Sequence, residues 1–217
     1  DPRENVRLQD DVGEAVHAFA EVADEAEPER LVHLAPEPDP AGLARTLLRL
    51  RHDLVMIGRA ASAPLPDPVA ARLAPALAQI GATARDYLLA SASALTSRHA
   101  SPPLEPVETA LTAYMSNVAS LRTAGPMDGL PVGERERIFA LGFALAQLQQ
   151  NFSELAACLQ EWARNPDDAR PSRWQSGLKH VALHLASVLE CFERHLRRQG
   201  AGAVQSALER VRSVGAG

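Results

Sequence analysis

Aromatic residues are scarce, at only 4% of the 217 residues. With so few large rings, a core must be filled by Leu, Val and Ala, which favours close packing of helices. Runs of Val, Ile, Thr and Tyr bounded by turns are also missing, so strands have little sequence to build on. Cysteine occurs only at Cys158 and Cys191, too few for a disulfide framework. A helical hairpin through 165–172 would set Cys158 level with about Lys179. Cys191 would then lie roughly 18 Å further along, at ~1.5 Å per residue, out of reach of a disulfide. The pair reads as free thiols, which fit a reducing compartment. No apolar leader opens the chain, because residues 1–11 are charged. The longest uncharged run, Ile138 to Ser153, falls short of the ~20 residues a bilayer-crossing helix needs and contains Gln and Asn. The chain by itself reads as soluble. Its abrupt acidic start fits a segment cut from a longer protein.

Chemical motifs are missing as well. The sequence has no nucleophile elbow, phosphate-cradling glycine loop, dinucleotide fingerprint or paired catalytic carboxylates. We therefore expect no enzyme activity and no cofactor. The net charge of −5 argues against non-specific nucleic-acid binding. That charge is unevenly spread: residues 1–30 hold ten Asp/Glu against three Arg, and residues 170–217 hold eight Lys/Arg against three Glu. Complementary solvated faces of packed helices are the simpler reading; a basic end near an anionic membrane is the sharper one.

What the chain does have is helical periodicity, and the stretch 134–164 shows it best. Ile138, Leu141, Leu145, Leu148, Phe152, Leu155, Leu159 and Trp162 fall on one stripe. Phe139, Phe143, Ala146 and Ala157 form a second, on another side of the same helix. A helix apolar on two sides is expected to be flanked on both, as the centre of a bundle. Around it the pattern predicts helices at 5–34, 40–61, 68–98, 103–124 and 172–199, with a short amphipathic tail at 203–213. Asp39–Pro40 and Asp67–Pro68 supply cap-and-start pairs, and Gly125–Pro126 supplies a stop. The expectation is an all-α antiparallel bundle of about six helices in one domain, residues 1–217. In the helix at 40–61, the run Leu54–Val55–Met56–Ile57 covers more than half the circumference and predicts deep burial.

Three groups of polar residues are candidates for a site. His180 and His184 are four apart, a spacing at which two imidazoles can share a metal. Cys191 and His195 repeat that spacing, and the hairpin register would bring Glu154 and Cys158 level with the first pair. The same stripe borders Val181, Leu185, Val188 and Phe192, where His and Cys also sit comfortably as structural residues. Arg51 and Arg59, with Arg49, His52 and Asp53, lie on the buried helix and could hold a carboxylate; pairing with acids of the first helix is the plainer role. Gln147, Gln150 and Asn151 read as buried polar groups that lock helix register, or line a pocket.

Two stretches carry a resemblance: LLRLRHDLVMIGRAASAPLP at 47–66 and ERIFALGFALAQLQQNFSELAACLQEWA at 136–163. They resemble the soluble portion of FUSC proteins, the fusaric acid resistance family of bacterial inner-membrane proteins, related to aromatic acid exporters. The likeness extends over roughly residues 12–164, including YLLASASAL and PVETALTAYMSNVASLR. It implies a polytopic efflux protein whose membrane helices are absent from this sequence, with this chain on the cytoplasmic side serving assembly, gating or substrate capture. Implied partners are that transmembrane portion and aromatic carboxylic acids, with self-association open. The family supplies no motif that assigns transport residues to this part. Two other readings stand beside it: a free-standing helical ligand-binding or adaptor protein, and a metal-dependent enzyme using His180 and His184.

Overall fold

A computed structural model describes residues 2–33, 40–61, 65, 67–97, 101–123, 125, 129–163, 179–184, 186–187, 190 and 194. Five helices account for most of them: α1 (Pro2–His33), α2 (Pro40–Ala60), α3 (Asp67–Ser97), α4 (Glu105–Thr123) and α5 (Val132–Ala163). A further helical stretch covers 179–184, with Val181, Ala182 and Ala186 buried. Among the described residues there is no strand. The architecture is an all-α bundle.

The helix ends follow local chemistry. The Leu104 carbonyl accepts from the amides of Val107 (3.0 Å) and Glu108 (3.2 Å), closing the first turn of α4. Glu105 and Glu108 in that turn favour the positive end of the helix dipole. Gly125, at φ 83°, takes the left-handed conformation just past the end of α4, where a side chain would be strained. The Pro131 carbonyl does for α5 what Leu104 does for α4, accepting from Glu134 (3.1 Å) and Arg135 (3.2 Å). This starts α5 two residues ahead of the Glu134 expected from the pattern.

Helix order in space differs from order in the chain. α1 packs on α2, and α3 packs on α4, each as a hairpin. α2 and α3, though consecutive, make no close backbone approach; α5 lies between the hairpins, packed chiefly on α2, less on α4, and touching α3. Its inner stripe is sealed: Ile138, Leu141, Leu145, Leu148, Phe152, Leu155 and Leu159 are all buried. They join one core with Val16 and Phe19 of α1, Leu43, Leu47, Leu50 and Ile57 of α2, Leu73, Leu77 and Leu88 of α3, and Leu111 and Leu121 of α4.

Three sequence expectations are corrected here. The second stripe of α5 is not covered: Phe139 is 52% exposed, Phe143 69%, and Ala157 is exposed too. The helix bridges two hairpins along one flank and leaves the other to solvent. Gln147 and Gln150 lie on that open flank; only Asn151 of the polar trio is buried. In α2, Leu54 and Ile57 are buried but Met56 is exposed, because a single neighbour on each side cannot cover a full circumference.

Candidate functional site

The polar residues of interest gather on α2 and its two neighbours. α2 and α5 run antiparallel: Asp53 meets Asn151, and four residues back along α2, Arg49 meets Glu154 three residues on. The Asn151 amide Nδ2 donates to Asp53 Oδ2 at 2.6 Å, with both residues buried. Burial raises the Asp53 carboxyl above its ordinary 3.8; the Asn151 hydrogen bond and the charges of His52 and Arg49 oppose it. Arg49 Nη2 contacts Glu154 Oε2 at 2.5 Å in a half-exposed pair and also reaches the Thr46 hydroxyl at 3.3 Å. Thr46 in turn donates to the Gly42 carbonyl at 3.2 Å, one helical turn back. The seam is thus a buried amide–carboxyl hydrogen bond beside a wetter ion pair. Its effect is to fix how far α2 sits along α5.

On its other side α2 faces α1, where Arg51 lies flat against the backbone at Gly13. A Cβ on Gly13 would stand 3.0 Å from Arg51 Nη2, 3.3 Å from Nε and 3.4 Å from Cζ. Glycine therefore leaves the room that the guanidinium occupies. The Nε of Arg51 is buried and has no hydrogen-bond acceptor. Among the described residues no carboxylate pairs with it, although Asp10, Asp11 and Glu14 stand on the same helix as Gly13. Arg59, the second expected candidate, is exposed in the last turn of α2 and already holds an interaction of its own. The structure brings Arg51 to the interface between α1 and α2.

The opposite side of the core holds a second set of polar atoms. The Tyr87 ring stands edge-on to Phe152 at 5.6 Å and 83°. Its hydroxyl, beside Ser91 and Ser101, closes no hydrogen bond of normal geometry, and burial raises its pKa. Tyr114 is fully buried, its hydroxyl without a protein partner and its pKa likewise raised by burial. Sequence reading missed these hydroxyls because tyrosine on an apolar stripe looks like any other core ring.

The histidine pair is close. Nε2 of His180 and Nε2 of His184 are 3.1 Å apart and the rings are edge-to-face. In the neutral state one donates and the other accepts. Glu154, which the hairpin register would set level with the pair, is engaged by Arg49, and among the described residues no three His, Cys, Asp or Glu side chains gather to hold an ion. Cys158 is half-buried and packed against the core. Cys191, His195 and the tail at 203–213 lie outside the described residues. No described helix is long and apolar enough to cross a membrane.

The arrangement ties α2 to α5 through Asp53 and Asn151 and leaves the buried Nε of Arg51 without an acceptor. No family model, no curated protein and no solved structure matches the chain.

Proposed function

We propose that this chain is the helical module, on the cytoplasmic side, of a bacterial inner-membrane efflux protein for aromatic or related organic acids. In this reading it captures the acid without transforming it. The two stretches that resemble the FUSC family fall chiefly on α2 and α5, the two helices most extensively packed on one another. A likeness confined to unrelated surface segments would lack that coherence. The observation that carries the capture role is Arg51: a guanidinium half-buried between α1 and α2, its Nε buried without an acceptor. A carboxylate is the acceptor a planar guanidinium fork matches best. The transmembrane portion would move the acid; this module would present it.

The test is thermal unfolding of the chain with benzoate and substituted benzoates. A ligand at a hundredfold its Kd should stabilise the fold by about 2.7 kcal/mol, and Arg51→Ala should abolish the shift while leaving the unliganded midpoint nearly in place. Arg51→Lys should recover only part of it, because an ammonium cannot offer the fork. No shift with any acid tried would remove the capture role. Deleting the module in frame from the intact gene, and then measuring efflux of the same acids, addresses the export role separately.

A further inference from the structure

We propose that the open flank of α5 is a contact between two copies of this chain. Val132 is 60% exposed, Phe139 52% and Phe143 69%, an unusual display for three large apolar side chains on one helix. They belong to a longer seam. Positions 132, 136, 139, 143, 146, 150, 153 and 157 follow one another at alternating intervals of four and three, the spacing of a helix that packs along another helix. Glu136 is its only charged member.

The seam is complementary to itself in shape. A Cβ on Gly142 would have nothing within 4 Å, so a notch lies open beside the two phenylalanines, and Ala146 makes a shallow place one turn further on. An antiparallel two-fold axis passing between 142 and 143 sets Phe143 over Gly142 of the second copy and Phe139 over Ala146 of the second copy. Both contacts then recur by symmetry, as an isologous dimer requires. The same register puts Arg135 opposite Gln150 and Glu136 opposite Gln149, so no like charges meet. A different partner would have to offer two small residues and two rings at these intervals, and this helix already does.

The area sets the strength. At ~200 Å² for a whole phenylalanine side chain, the two rings expose roughly 250 Å² per copy, against about 800 Å² per partner in a standard interface. Small residues and glutamines along a helix ~48 Å long extend the patch without matching an obligate dimer. The expectation is a reversible, concentration-dependent dimer. It would form in the isolated chain whether or not Arg51 captures an acid.

Sedimentation velocity on the whole chain, from low to high micromolar concentration, should show the mass rise from one chain to two. Phe143→Glu should move the midpoint at least tenfold higher, equivalent to about 1.4 kcal/mol, with the helical circular dichroism and thermal midpoint unchanged. In a background with Cys158 and Cys191 replaced by serine, an oxidised mixture of Phe139→Cys and Ala146→Cys chains should cross-link faster than either variant alone. A monomer across the whole range, a dimer indifferent to Phe143→Glu, or cross-linking no faster in the mixture would each overturn the proposal.

Discussion

The two flanks of α5 are made of similar residues and meet opposite fates. Ile138, Leu145 and Phe152 on one flank are at most 1% exposed, while Phe139 and Phe143 on the other are more than half exposed. Hydrophobicity therefore does not tell which flank becomes core. Continuity does: the inner stripe is apolar at every third or fourth position from 138 to 159, whereas the outer one is broken by Glu136, Gln150 and Ser153. A stripe with such gaps can be covered by a partner but cannot anchor a core.

That contrast breaks most sharply under truncation. Leu145→Ala is expected to cost about 2–5 kcal/mol, as core leucines do, whereas Phe143→Ala should change monomer stability by no more than about 0.5 kcal/mol. Urea denaturation at concentrations too low for association measures both. Comparable losses at the two sites would mean that the outer flank is also core.

The seam between α2 and α5 gives a smaller effect with a definite sign. Asp53→Ala leaves the buried Asn151 amide without its acceptor and should cost about 1–3 kcal/mol. Asp53→Asn keeps an oxygen for Asn151 and removes a charge that burial disfavours, so it should be neutral or stabilising near pH 7. Because the folded-state pKa of Asp53 is raised, the protonated form stabilises the fold. That contribution is fully present below the ordinary value of 3.8 and is lost as pH rises through the folded value. Relative to Asp53→Asn, the wild type should weaken with increasing pH across that window. A wild type that gains on the variant with rising pH would show the carboxylate to be favoured instead.

The smallest effect belongs to Arg49 and Glu154, whose half-exposed pair should contribute at most about 1 kcal/mol and fade in high salt. A double-mutant cycle reads it. A larger, salt-insensitive coupling would mark this outer pair, rather than Asp53–Asn151, as what fixes the register.

How much was legible follows from what each feature depends on. The all-α class and the inner stripe of α5 rest on spacing within one helix, which the sequence displays. The closeness of His180 and His184 does too, being a matter of four residues. The choice of neighbours does not: Asp53 and Asn151 are 98 residues apart, and nothing local announces that α2 pairs with α5 instead of with α3, which follows it. Covering both flanks of α5 was an error of the same kind, since two stripes seen on one helix say nothing about how many neighbours are available. Arg51 carried a partial signal, an arginine on a mostly apolar helix. That Gly13 makes room for it could not be read, because the glycine stands on another helix.

The position of α5 between the two hairpins also has a consequence for synthesis. α2 leaves the ribosome long before the helix that covers it, with α3 and α4 emerging in between. At ~5–20 residues per second, about 5–20 s pass between translation of Asp53 and of Asn151. During that interval the bare side of α2 has α1 for company and otherwise water, or whatever holds nascent chains. The arrival of α5 then supplies the helix that packs against both hairpins.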